Sequence, residues 1–237
     1  MILKVLGNNG PYPAANGACS GYLLSSDSGN TRILIDCGPG VLSRLMAEDC
    51  LEALDAVILT HLHYDHMSDM LPMQYALQFN PRKKALPVYA PDEPETVAAL
   101  LKRPCYDLWP AEDVAIGEMR VSFTAARHPV PTNAVRVECD GASFVFTGDT
   151  NEDALVELFC DGASLLLADC GLSGADHSFT APHLSALLCG RLAERAGAKR
   201  LLLTHLNPKY DPMLLLDEAR AAFPAAELAE LGGVYYI

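Results

Sequence analysis

The sequence predicts an α/β protein made of two sheets with helices outside them. Three observations predict it. The first third alternates short β-like runs with turns, the middle is almost continuously β-like, and strand and helix patterns alternate beyond Asp149. Two sheets with outer helices satisfy that order.

Taken in order, strands are expected over 2–6, 19–25 and 31–36, with a Gly/Asn/Pro-rich segment over 7–17 between the first two. Apolar runs bounded by turn residues are the signal for each. A helix over 41–48 precedes an apolar strand at 55–60, which runs straight into the segment THLHYDHMSD. Apolar spacing suits a helix over 67–79, a strand over 86–90 and a helix over 93–101. The β-rich middle divides into strands at 114–116, 119–126, 134–139 and 143–147, and Asp140-Gly141 marks a hairpin turn. Then come a helix over 152–160, a strand over 164–168, a helix over 182–196, a strand over 200–204 and a helix over 212–221.

Composition narrows the class of protein. With 237 residues, 50% of them hydrophobic, the chain can bury a large core, and the absence of repeats, charge blocks and linker-like stretches predicts one domain over 1–237. Seventeen basic against thirty acidic residues give a net charge of -13, which disfavours bulk electrostatic binding of nucleic acid. The opening MILKVLGNNG is too short an apolar run for a secretory signal, and no stretch reaches the roughly 18 apolar residues of a membrane helix. A cytoplasmic location is expected. The eight cysteines, at 19, 37, 50, 105, 139, 160, 170 and 189, are scattered through apolar segments without a CxxC pair, so they read as buried, reduced thiols.

The chemistry concentrates at 60–69. In an extended segment His61 and His63 share a face, and Asp65 and His66 follow where the chain turns into a helix. Three imidazoles and a carboxylate within six residues supply nitrogen and oxygen ligands for a divalent ion. Without a metal, so many buried polar groups at one strand end would require a costly network. His128 after VSFTAAR, Asp149 after SFVFTG and His205 after RLLLT each end an apolar run in the same way. Together these residues predict two metal ions, one on His61, His63 and His128, the other on Asp65, His66 and His205. Asp149 bridges them, and a shared carboxylate of this kind holds two ions about 3.5–4 Å apart. Zinc is the expected ion, while manganese and iron suit the same ligands.

The ordered motifs THLHYDHMSD, His128, FTGDT and LLLTHLNP resemble those of the metallo-β-lactamase superfamily over nearly the whole chain. The resemblance is greatest to the ribonuclease Z-like branch of small bacterial metal-dependent hydrolases. It implies a four-layer αββα sandwich and a metal-dependent hydrolase, with a homodimer by analogy. Asp36 in LIDCGPG matches the aspartate that supports the metal loops without being a ligand. His183 in APHLSALL matches a histidine early in the helix before the last metal histidine, implied to touch the scissile phosphate or protonate the leaving oxygen, and Asp169 matches its acidic partner. His177 and Cys170 lie nearby and receive no role, and the 7–17 loop is expected to border the pocket.

Two departures bear on substrate. In the bacterial short form of ribonuclease Z, a basic tRNA-gripping arm falls between the third-motif histidine and the bridging aspartate. Here only twenty residues, 129–148, separate His128 from Asp149, enough for one hairpin. Ala168 stands where that enzyme's motif has a histidine before its acidic residue. The expected reaction is therefore hydrolysis of a small or cyclic phosphodiester, with Asp65 orienting the attacking water and His183 and Asp169 assisting the leaving group. The alternatives are hydrolysis of a lactone, thioester or amide on the same ions, tRNA 3′ processing, and a non-hydrolytic di-iron redox or metal-binding protein.

Overall fold

The computed structural model describes residues 1–48, 51–80 and 82–237 and contains the two sheets the sequence calls for. The first is built from β1 (Ile2–Gly7), β2 (Gly21–Ser25), β3 (Arg32–Ile35), β4 (Ala56–Ile58), β5 (Leu86–Tyr89), β6 (Tyr106–Trp109) and β14 (Val234–Tyr236), in the spatial order β14-β1-β2-β3-β4-β5-β6. The second holds β7 (Val114–Ile116), β8 (Met119–Ala125), β9 (Asn133–Cys139), β10 (Ala142–Phe146), β11 (Leu165–Asp169), β12 (Leu201–Thr204) and β13 (Glu227–Leu228), in the order β13-β12-β11-β10-β9-β8-β7. Each sheet is part antiparallel and part parallel. Parallel pairing links β3, β4, β5 and β6 in one, and β10, β11, β12 and β13 in the other.

The helices are α1 (Val41–Ala47), α2 (Tyr64–Met67), α3 (Met70–Phe79), α4 (Glu95–Ala98), α5 (Ala154–Phe159), α6 (Ala186–Arg195) and α7 (Pro212–Arg220). Three apolar clusters make the layers. Val41 and Leu45 of α1 and Met70 and Met73 of α3 pack with Leu34, Val57 and Val88 on one outer face. Leu188, Leu192, Leu215 and Leu216 of α6 and α7 pack with Leu166, Leu201 and Leu203 on the other. Between the sheets, Leu3, Tyr22, Ile33 and Ile58 meet Val135, Phe144, Phe146 and Leu167. The result is the four-layer αββα sandwich of the metallo-β-lactamase fold. Phe146 is fully buried at this inner layer, 5.0 Å from the Tyr22 ring in an edge-on pair, so its truncation to alanine is expected to cost about 3–5 kcal/mol.

Several elements differ from their sequence reading. The helix expected over 182–196 begins only at Ala186. Leu172 N–H donates to Leu184 O and Ala186 N–H to Leu172 O, so residues 184–185 are held as a short bridge before the helix can start. His183 therefore lies in the loop ahead of α6 and not within the helix. The helix expected over 67–79 begins only at Met70, as α3, set off from the short α2 because Asp69 N–H donates to Cys37 O and not along the helical ladder. Strands β6, β13 and β14 lack a clear alternating pattern and are defined by pairing with distant partners, as in Ile2 opposite Tyr236. The seven described cysteines are unbridged, and Cys50 lies outside the described residues. No helix among the described residues is long and apolar enough to cross a membrane.

Candidate metal centre

The seven residues expected as ligands converge where the parallel strands of the two sheets end. His61 and His63 follow β4, Asp65 and His66 ride on the short α2, His128 follows β8, Asp149 follows β10, and His205 follows β12. His61 Nε2 and His128 Nε2 each lie 3.1 Å from His63 Nδ1. Asp149 Oδ2 is 3.6 Å from His61 Nε2, 3.9 Å from His128 Nε2 and 3.4 Å from His205 Nε2, while its Oδ1 is 3.3 Å from His66 Nε2. Asp65 Oδ2 is 3.1 Å from His205 Nε2 and 3.5 Å from His66 Nε2. Donor atoms of His61, His63, His128 and Asp149 fall within 4.8 Å of one another, and so do those of Asp65, His66 and His205. A third such group joins Asp149, Asp169, His183 and His205. Both sets expected from the sequence are thus assembled, and Asp149 stands between them.

Surrounding residues aim these side chains. Asp36, fully buried, accepts from Ser20 Oγ at 2.8 Å, from Thr60 N–H at 2.8 Å, and from His66 Nδ1–H at 2.7 Å. That last bond fixes the Nδ1 proton and turns His66 Nε2 toward Asp149, the ring orientation usual behind a metal-bound imidazole. His128 Nδ1–H donates to Pro182 O at 3.0 Å and fixes its tautomer in the same way. Both Asp36 (φ 57°) and His205 (φ 55°) adopt the left-handed backbone that non-glycine residues avoid. Each costs on the order of 1–3 kcal/mol, and such strain is characteristic of functional sites.

The charges divide into two kinds. Burial, reinforced by neighbouring imidazoles, lowers the pKa of His61 and His63, and burial lowers that of His128, so all three present neutral rings. Burial opposes protonation at His66 and His205 too, but the carboxylates around them win, with Asp149 the largest. His66 is raised well above its ordinary value and His205 to about 10. For Asp149 and Asp65, burial works against ionisation, and the facing histidines outweigh it and hold both as carboxylates. His66 Nε2, Asp149 Oδ1 and His205 Nδ1 are buried without a hydrogen-bond partner. Orphaned polar atoms at the centre of a His/Asp cluster are what a set of metal ligands leaves when no cation is present, so the residues fit the expected ions.

His183 reaches the cluster despite its position outside the helix. Its Nδ1 is 2.9 Å from Asp169 Oδ2 and 3.8 Å from Asp149 Oδ2. Burial lowers its pKa, and Asp169 more than compensates, leaving it raised. Asp169 is itself fixed by Thr150 N–H and Gly171 N–H.

The sequence reading missed the small and amide residues around these groups. A Cβ on Gly10 would collide with the His205 ring, and one on Gly171 would come within 2.9 Å of the His183 ring, so only glycine permits either approach. Gly10 belongs to the 7–17 loop, which therefore does border the site. Asn151 anchors the loop that brings in His183, its amide donating to Ser178 O, Phe179 O and Ala181 O while its Oδ1 pairs with His177 Nε2. His177 is thus a loop anchor, and Cys170 is a buried core thiol. The one available signal was Asn151's place directly after FTGDT; nothing local marks Gly10.

The Beta-lactamase superfamily domain matches residues 31–206. The probable metallo-hydrolase YhfI of Bacillus subtilis (strain 168) is 36% identical over 217 residues, which cover 87% of this chain and 87% of that protein. The crystal structure of YhfI superposes with a TM-score of 0.91 at 34% identity, covering 99% of this chain and 98% of the other. Ribonuclease Z of Mycolicibacterium paratuberculosis is 31% identical over 276 residues, 97% of this chain and 95% of that protein. The chain belongs to the beta-lactamase superfamily, in its ribonuclease Z-like branch.

Proposed function

We propose that this chain is a metallo-hydrolase that cleaves small or cyclic phosphodiesters at a centre of two divalent ions, with zinc the expected metal. The observation that carries the reading is Asp149, whose Oδ2 lies 3.4–3.9 Å from His61, His128 and His205 and whose Oδ1 lies 3.3 Å from His66, so that it touches histidines of both sets. A carboxylate so placed suits a bridging ligand. His61, His63 and His128 would hold one ion and Asp65, His66 and His205 the other. When bound, such a pair supplies an activated water and neutralises charge on the phosphoryl oxygens.

The protein's own groups supply the rest. Asp65 is ionised and borders the cluster, so it can orient the attacking water or accept its proton. Asp169 favours the protonated form of His183, and with Nδ1 committed to that carboxylate its Nε2 is left for the leaving oxygen. The β9–β10 hairpin closes at Asp140 and Gly141, leaving no arm between His128 and Asp149 to grip a large RNA, and this favours a small substrate.

Turnover of bis(p-nitrophenyl) phosphate by metal-loaded protein, abolished by chelation and restored by zinc, is the expected result. No hydrolysis across a panel of phosphodiesters, or much faster turnover of a lactone or thioester, would overturn the reaction class. His63→Ala and Asp149→Ala should each lose metal and activity together.

A further inference from the structure

A second concavity lies on the same rim as the metal cluster. Strands β5 and β6 run parallel to β4, so their C-terminal ends, at Tyr89 and Trp109, emerge on the side where His61 follows β4. Hydrogen bonds tie this rim together: Leu59 N–H to Tyr89 O at 2.8 Å, Ala90 N–H to Trp109 O at 3.1 Å and Asn133 N–H to Thr60 O at 3.0 Å. Trp109 is two strand spacings from β4, about 10 Å. The cavity there measures about 500 Å³, a size suited to a small organic group.

Its lining is specific in character. Pro91, Leu101, Trp109 and Pro110 give it apolar walls, while Asp92 and Glu112 add two acids against the single cation of Lys102. Trp109 is the chain's only tryptophan and is 50% exposed, although the burial of so large a ring is normally favourable. Its indole N–H is already used, donating to Asp107 Oδ2 at 3.0 Å, so the ring is held and has a face to offer rather than a donor. A flat aromatic partner stacks on such a face. The acids reject a phosphate and accept hydrogen bonds from ring amino groups, which orients a substrate with its ring here and its phosphate at the histidines.

We infer that this cavity recognises a flat, amino-bearing aromatic ring of the substrate, of the nucleobase type, stacked on Trp109. The inference rests on the phosphodiesterase reading for the substrate's reactive end and makes Trp109 a specificity-determining residue.

Because Trp109 is the sole tryptophan, its fluorescence in the metal-loaded protein reports on the cavity directly. Adenosine 5′-monophosphate should change the emission saturably, and ribose 5-phosphate should not. An emission unmoved by the nucleotide, or moved equally by both, would overturn the pocket. The second test compares kcat/KM for the p-nitrophenyl ester of adenosine 5′-monophosphate with that for methyl p-nitrophenyl phosphate. Trp109→Leu should lower the first by roughly five- to a hundredfold, the loss of one stacked base, and leave the second unchanged. Equal effects on both esters would remove the pocket alone. Failure of wild-type protein to hydrolyse either ester would remove the reaction class, and the fluorescence titration would still decide the pocket.

Discussion

Gly10 lies so close to the imidazole of His205 that any side chain at position 10 would overlap the ring. The glycine loop after β1 is therefore a wall of the candidate metal centre, and its own anchor is Gly10 N–H donating to Leu206 O at 3.3 Å. Gly10→Ala should push His205 off its axis toward Asp65 and Asp149. Metal affinity, read by competition with a chelator, is expected to fall about 10–100-fold while the fold survives. Wild-type affinity in this variant would show that the contact is incidental.

Asp36→Asn tests the support beneath His66. The amide keeps one acceptor oxygen, so whichever way it turns it sets an NH2 group against Thr60 N–H or against Ser20 and His66 Nδ1–H. With the NH2 against His66, the neutral imidazole needed for metal binding would have to change tautomer and point a proton at Asp149, which removes its lone pair from the cluster. A stability loss of about 1–3 kcal/mol by denaturant unfolding should accompany weakened metal binding.

His183→Ala should retain both ions and lose about 10²–10⁴ in kcat, the usual contribution of a positioned proton donor. The sign of its pH dependence follows from its raised pKa. The proton is present below that raised value and leaves as pH rises through it, so activity that depends on His183 declines on the alkaline side. The variant's profile should lack that decline. An unchanged rate and profile would return His183 to a packing role.

Metal uptake should release protons. In the metal-free protein at pH 8, the carboxylates around them favour the protonated forms of His205, raised to about 10, and of His66, raised well above its ordinary value. His61, His63 and His128 are lowered and already neutral, so they contribute none. Titration calorimetry in buffers of different ionisation enthalpy is expected to detect proton release on metal binding. No release at all would contradict the assignment of His66 and His205 as ligands.

Much of this architecture was legible because its signals are local. Apolar runs ending in His or Asp marked β4, β8, β10 and β12, and the candidate ligands follow those strands in the structure. The less legible parts depend on partners far away in sequence. Strand β14 forms because Tyr236 pairs with Ile2, and β6 is an edge strand whose exposed Asp107, Leu108 and Trp109 carry no alternation to read. The start of α6 was misread because proline at a helix N-terminus is a fair local signal, yet the bridge to Leu172 overrides it. Gly10 and Gly171 were invisible for a related reason, since a glycine needed for close approach looks like any loop glycine until its neighbour is known.

The two-residue turn at Asp140 and Gly141 has a further consequence. Both residues take positive φ (52° and 79°), as a tight hairpin requires, and a Cβ on Gly141 would meet nothing within 4 Å. The tip stands at one end of β9 and β10, while Thr132 and Asp149 flank the other. A recognition module spliced into that tip would leave the end that carries the His/Asp cluster untouched. Substrate range in such a scaffold can be widened or narrowed by grafting at this one position, without rebuilding the chemistry.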